Sequence, residues 1–154
     1  MVSKRLKQLK FIANIFNMSL NEIRETLGFE TLTMIFCRVG EASAENVVKR
    51  LKGKYETIEE FGQLLIENVI EPVLGENKST VENSEGKVKI SLDACPYKRS
   101  GGFKIQEMGF FCHYTEGLFD NAYKLAFPDK TVFTEPVGLI ADKCKNCTFD
   151  IEIE

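Results

Sequence analysis

The sequence has little histidine, no tryptophan and no long apolar run. Its 154 residues include one histidine, His113, and no Trp. No stretch approaches the roughly 18 consecutive apolar residues of a membrane-spanning helix. The apolar segment at residues 11–16 is interrupted by Asn14 and is too short for the core of a secretion signal. We therefore expect a cytoplasmic protein with no membrane partner.

A strong excess of one charge is also absent. The chain has 20 basic and 23 acidic residues, which give a formal net charge of −3. Proteins that hold a nucleic-acid backbone are usually strongly basic. The short basic clusters at residues 4–10 and 49–54 are interpreted as solvated helix faces, so nucleic acid is not an expected partner.

The apolar residues that are present suffice for one packed core. They make up 44% of the chain and include 12 Phe. A globular chain of this length buries roughly 70% of the surface that its unfolded form exposes. No internal repeat or long linker divides it, so we predict a single domain over residues 1–154 that folds without disulfides.

Residues 1–74 show the spacing of helices. Ser19 and Glu22 have the spacing of a capping box, and Gly28 follows as a helix stop. A longer helix is predicted over residues 29–52, interrupted or closely packed at Gly40.

A third helix is predicted from the capping box of Thr57 and Glu60 to a stop at Pro72. We interpret this helical half as scaffold and dimer surface. Residues 75–86 are polar and rich in turn-forming residues, which predicts a loop.

Residues 87–154 mix strands with one helix. Alternation of apolar and polar residues predicts strands at 88–92, 103–105, 131–140 and 148–153, and helical spacing predicts a helix over 111–126. The last two strands form a predicted hairpin. The expected fold class is α/β of the α+β type, with a helical N-terminal half and an antiparallel sheet covered by helices.

Four of the five cysteines, Cys95, Cys112, Cys144 and Cys147, fall in the last sixty residues. Reduced cysteines in a cytoplasmic protein more often bind metal or act in redox chemistry than brace the fold. A Cys-x-x-Cys turn can hold one metal with two thiolates, and zinc completes a tetrahedron with two more. These residues therefore predict a structural zinc site, whereas Cys37 is expected in the core.

Other interpretations of the cysteines stay open. The same thiolates suit an iron–sulfur cluster, a redox dithiol or ordinary structural cysteines. His113 and Glu135 are alternative metal ligands. No residue is predicted to be catalytic, because a Gly-rich dinucleotide fingerprint and a Ser-His-Asp order are both missing from the sequence.

Three segments carry a resemblance to a known family. Residues 112–117 (CHYTEG), 132–136 (VFTEP) and 144–149 (CKNCTF) resemble the 4-vinyl reductase domain family, in particular its stand-alone archaeal members, described as predicted hydrocarbon-binding proteins. The resemblance is best over residues 88–153, and the helices from residue 29 fit it more loosely.

This resemblance implies a fold akin to vesicle-tethering TRAPP subunits and nitric-oxide sensors, a homodimer formed through the helical half, and a bound zinc. In related aromatic-sensing activators the zinc ligands match Cys112, Glu135 and Cys147 of this chain. Leu139 lies near the place of a further ligand cysteine. Cys144 is expected to replace that cysteine as a ligand. Because this chain departs from the family pattern there, Cys95 is favoured over Glu135 as the fourth ligand.

The expected function is that of a ligand-binding or sensory domain for a small apolar, hydrocarbon-like molecule. Its pocket is predicted between the sheet and the helix at residues 111–126. The residues expected to line it are Phe103, Phe110, Phe111, Phe119, Tyr123 and Phe133. The family name suggests an alternative, a reductase acting on a vinyl group, and the TRAPP resemblance suggests a non-catalytic assembly or scaffold subunit.

Overall fold

The computed structural model describes residues 3–95, 97 and 109–154. Its helices are α1 (Lys4–Leu27), α2 (Phe29–Leu51), α3 (Ile58–Leu65), α4 (Glu71–Leu74) and α5 (Cys112–Ala126). Its strands are β1 (Ser79–Ser84), β2 (Lys87–Leu92), β3 (Val132–Gly138) and β4 (Cys147–Ile153). The expected α+β class is thus confirmed, while the strand predicted at 103–105 lies outside the described residues.

The four strands form one antiparallel sheet in the order β1-β2-β4-β3. Strands β3 and β4 pair as the predicted hairpin, and the long-range pairing of β2 with β4 places Leu92 opposite Cys147. Apolar residues alternate along β2 and β4 and point to one buried face. On that face Phe149 meets Phe119 of α5, with ring centroids 5.3 Å apart.

Helix α1 begins much earlier than its predicted start at Ser19. The Ser3 hydroxyl accepts a hydrogen bond from the Leu6 amide at 3.2 Å, and the helix then runs through Ser19 to its predicted stop at Gly28. The local capping signal at Ser19 was misleading because the helical spacing of apolar residues continues on both sides of it. Among the described residues, no helix is long and apolar enough to cross a membrane.

The third predicted helix begins as expected but does not end at Pro72. The Thr57 hydroxyl accepts a hydrogen bond from the Glu60 amide at 3.2 Å, which confirms the capping box. The chain then forms a π-helical turn at Ile66–Ile70 and continues into α4. Pro72 lies in the first turn of α4, directly after the π-helical turn, where the helical hydrogen-bond pattern changes.

The predicted loop at residues 75–86 contains a strand that the sequence did not indicate. β1 pairs along its whole length with β2. Its residues are mostly polar and exposed, because it lies at the edge of the sheet and covers little of the core. Backbone pairing with β2, rather than a side-chain pattern, therefore holds this segment in place.

Helices α2 and α5 pack against each other with glycines at the contact. A Cβ on Gly40 would lie 2.0 Å from the Tyr114 carbonyl oxygen, and one on Gly117 would lie 2.1 Å from the Cys37 carbonyl oxygen. The close packing predicted at Gly40 is confirmed. Asn121 of α5 adds a hydrogen bond from its side-chain amide to the Glu41 carbonyl at 2.8 Å.

The substitution Gly117→Ala is expected to lower the free energy of unfolding by about 3 kcal/mol, because backbone atoms cannot give way to the added methyl group. Gly53→Ala is the control, since its Cβ meets nothing within 4 Å. Only the strain of a positive φ is expected there, about 1 kcal/mol. Urea unfolding monitored by circular dichroism measures both, and equal losses would contradict the packing argument.

Candidate ligand cavity and cysteine pair

A cavity of about 130 Å³ lies between the π-helical turn, α4, the end of β2 and the first half of α5. Most of its wall is aliphatic and comes from the turn and α4, with Leu92 from β2 and Leu118 from α5. Two tyrosines, Tyr97 and Tyr114, and the hydroxyl-bearing Thr115 complete the lining. None of these lining residues is charged, so the cavity suits an uncharged and mainly apolar molecule.

The π-helical turn shapes one wall of this cavity. The Glu71 amide donates to the Ile66 carbonyl, the i to i−5 pattern of a π-helix. Pro72 has no N–H to continue the normal ladder, and the Asn68 side chain donates to the Leu64 carbonyl at 2.9 Å. Such turns occur frequently at functional sites in helices. This one places Val69 and Ile70 in the wall.

Tyr97 contributes an aromatic face and a neutral hydroxyl. Its ring stacks on Phe111 with centroids 4.5 Å apart and an interplanar angle of 18°. Burial raises the pKa of the Tyr97 phenol well above its usual value, with smaller contributions from Tyr114, Cys112 and Cys95. The phenol therefore stays protonated at physiological pH and keeps its capacity to donate a hydrogen bond.

Two of the predicted cysteine ligands meet beside this cavity. Cys112 is the first residue of α5 and Cys147 is the first residue of β4, and both are buried. The Cys112 thiol donates a hydrogen bond to the Cys147 sulfur, which also accepts one from the Ile140 amide at 3.3 Å. Because Leu92 is both the strand partner of Cys147 and part of the cavity wall, the two sites are adjacent.

The hydrogen bond between the two thiols shifts their pKa values in opposite directions. Cys112 donates this hydrogen bond, which raises its pKa, and burial raises the pKa further. The same hydrogen bond lowers the pKa of Cys147 to about 7, helped by the Ile140 amide and opposed by burial. Cys147 is therefore the thiol of the pair that ionises first.

The other predicted ligands do not complete a shell around this pair. Cys95 is buried and close enough for its charge to raise the pKa of Cys112. Cys144 is exposed and lies beside Gly138. Among the described residues, no group of three or more His, Cys, Asp or Glu side chains is placed to hold one metal ion. The four-cysteine zinc site stays a prediction.

The alternative ligands lie apart from the cysteine pair. Glu135 is exposed on β3, opposite Asp150 of β4. The His113 ring nitrogen Nδ1 contacts a Glu116 carboxylate oxygen at 2.5 Å, and both side chains are part-buried. Cys37, expected in the core, is instead half-buried, because it lies at the seam between α2 and α5.

The aromatic residues predicted to line a pocket have other positions. Phe110, Phe111, Phe119 and Tyr123 are packed in the core, Phe133 is 60% exposed on β3, and Phe103 lies outside the described residues. None of the five described ones lines the cavity above. The sequence did not predict the aliphatic wall of the cavity, because apolar residues at helical spacing are equally typical of an ordinary core. Pro72, which follows a long apolar helix, was the sequence feature that could have indicated this wall.

Comparison with known proteins gives the fold. No protein-family model and no curated protein matches this sequence. A crystal structure of trafficking protein particle complex subunit 3 from Naegleria fowleri, covalently bound to palmitic acid, is similar with a TM-score of 0.63 at 11% identity, over 94% of each chain. The phenol-responsive sensory domain of the transcription activator PoxR, with phenol, is similar with a TM-score of 0.57 at 14% identity, over 91% of this chain and 73% of that one.

This chain shares their fold. The expected likeness to TRAPP subunits is thereby confirmed at the level of architecture. Membership of the 4-vinyl reductase domain family stays a prediction, because no family model or curated relative bears on it.

The substitution Cys112→Ala is expected to raise the pKa of Cys147 from about 7 towards the ordinary 9.0 of a thiol, because the donated hydrogen bond is lost while burial remains. Thiolate absorbance, followed against pH in metal-free protein that circular dichroism shows to be folded, measures the shift. Cys144→Ala is the control and should leave this titration in place. An unchanged midpoint in Cys112→Ala would show that the two thiols do not interact.

Proposed function

We propose that this protein is a binding module of the sensory type for a small, uncharged, apolar ligand about the size of one aromatic ring. The observation that carries the proposal is the apolar cavity of about 130 Å³ between the π-helical turn and α5. The hydroxyl groups of Tyr97, Tyr114 and Thr115 can form hydrogen bonds with a polar group of the ligand. Sites for small molecules usually combine apolar walls with such sparse polar groups.

The volume argues for a ligand of one ring. An aliphatic cavity of about 150 Å³ binds benzene, whereas pockets for drug-sized molecules measure about 300–1,000 Å³. The PoxR domain of the same fold was solved with phenol, a molecule of matching size. The palmitic acid bound to the TRAPP subunit is too large a molecule for a cavity of about 130 Å³.

Benzene, toluene and phenol are the first ligands to test, and at least one is expected to shift the amide signals of α5 in NMR titrations. Val69→Phe fills the cavity from its wall and should weaken that binding at least about tenfold, a change of about 1.4 kcal/mol. Val137→Phe makes the same change on the exposed face of β3 and should leave binding intact. Equal affinities in both variants would contradict binding in this cavity.

A native mass spectrum of the untagged protein adds a second readout. An unexplained small mass bound to each chain would support the proposal and give the ligand its formula. An empty protein that binds none of the three compounds, but purifies with a stable heteromeric partner, would favour the assembly-subunit alternative.

We also propose a structural zinc next to the cavity. Cys112 and Cys147 supply two interacting thiols, and the buried Cys95 is close enough to Cys112 for its charge to raise the pKa of that thiol. The fit is incomplete, since a closed tetrahedral site needs four ligands and Cys144 is exposed. When bound, the zinc would tie the start of α5 to the start of β4.

Elemental analysis is expected to find one zinc per chain in the wild type, and Cys147→Ser should lose it. Loss of a structural zinc removes stabilisation on the order of 10 kcal/mol, so the variant should also melt at a much lower temperature. Cys37→Ser, away from the pair, should keep the metal. A wild-type protein without zinc, purified under reducing conditions, would overturn this proposal.

A further inference from the structure

The N-terminal part of α1 carries large apolar side chains that the folded chain leaves uncovered. Leu20 is the one buried residue of this helix. Before it, seven large apolar side chains are exposed, by fractions from 43% at Leu6 to 68% at Phe11. Folded proteins rarely expose contiguous apolar patches above a few hundred Å², and larger ones mark sites for other proteins or for membranes. Residues 4–18 are therefore a candidate docking segment.

The docking segment carries charge of one sign only. The first acidic residue of the chain is Glu22, beyond the segment. The ion pairs found among the described residues include none of the four basic side chains of the segment. Because the whole chain has a formal net charge of −3, the chain outside the segment carries −7 once these four positive charges are set apart. The four basic residues are Lys4, Arg5, Lys7 and Lys10.

Basic and apolar side chains adjoin on one face of the docking segment. Residues three and four apart lie on the same face of a helix, so Lys4 and Lys7 lead directly to Phe11. These three residues, together with Gln8 and Ile12, line one shallow depression on the surface of α1. A lysine can lay its carbon chain along apolar surface and keep its ammonium group in a polar layer. The face thus combines an apolar floor with cations at its edge.

We propose that the docking segment binds the surface of an anionic lipid bilayer. In this arrangement the basic side chains contact lipid phosphates, and the apolar side chains enter the layer beneath the headgroups. Helices that lie at a membrane surface combine Lys and Arg with Phe and Leu in this way. The expectation of no membrane partner was based on the lack of a spanning segment, and a helix that lies on the surface needs none.

Lipid matches this segment better than other partners do. A nucleic acid would pair with the cations, but most of its contacts are made through phosphates, which offer little to exposed apolar side chains. A second copy of the segment would cover the apolar residues but bring no acidic side chain, since Glu22 lies beyond it. An anionic bilayer supplies negative charge and an apolar interior together.

Flotation with lipid vesicles tests the charge part of the proposal. The wild type is expected to float with vesicles of phosphatidylserine and phosphatidylcholine and to bind pure phosphatidylcholine much more weakly. Lys4→Glu/Lys7→Glu should lower the partition coefficient for the mixed vesicles by about tenfold or more, because cations near an anionic surface are replaced by anions. Lys49→Glu/Lys52→Glu makes the same charge change at two exposed lysines outside α1 and should keep the binding.

The lack of tryptophan in this chain allows a direct probe of the apolar part. Phe11→Trp introduces a single fluorophore into the docking segment, and its emission should shift to the blue when the mixed vesicles are added. Phe133→Trp places the same fluorophore at a 60% exposed position of β3, where no shift is expected. Circular dichroism should show that all four variants are folded like the wild type.

Three results would overturn the proposal. The first is a wild type that does not float with the phosphatidylserine vesicles. The second is an equal loss of binding in Lys4→Glu/Lys7→Glu and in its control. The third is vesicle binding without a blue shift in Phe11→Trp. None of these results bears on the ligand cavity, because ligand binding there is measured without lipid.

Discussion

The contact between α2 and α5 at Gly40 and Gly117 is the constraint on which the other features of the fold depend. Side chains larger than hydrogen at these two positions would meet backbone oxygens at 2.0 and 2.1 Å. The backbones can therefore approach closely, and α5 is held between α2 on one side and the sheet on the other. The position of α5 in turn determines where the cavity and the cysteine pair lie.

The cavity and the cysteine pair both arise from the first half of that helix. Tyr114, whose carbonyl touches Gly40, presents its side chain to the cavity, and Cys112 lies two residues earlier beside Cys147. The opposite wall consists of aliphatic side chains from the π-helical turn before Pro72 and from α4. The cavity thus lies between this turn on one side and the tightly packed α5 on the other.

Tyr114 connects the wall of the cavity with the contact between α2 and α5. Tyr114 belongs to the cavity wall and to the α2 contact, and the first half of α2 carries exposed apolar residues next to those of α1. Interiors are close-packed, so a ligand that shifts Tyr114 acts directly on α2. The buried Cys112 and Cys147 lie at the same end of α5 and join it to β4, which limits how far that end can move.

The sequence by itself determined the local features of this protein. The stop at Gly28, the Thr57 and Glu60 capping box, the alternation along β2 and the final hairpin are all encoded by neighbouring residues, and these predictions were confirmed. Only the tertiary structure decided the strand at β1, the continuation past Pro72, the contact of Cys112 with Cys147 and the lining of the cavity. The physical reason is that the cysteine contact and the cavity bring together residues far apart in the chain, whereas β1 and the continuation past Pro72 depend on backbone hydrogen bonds that no side-chain pattern indicates. An edge strand needs a paired backbone rather than an apolar pattern, and an aliphatic residue in a cavity wall has the same spacing as one in the core.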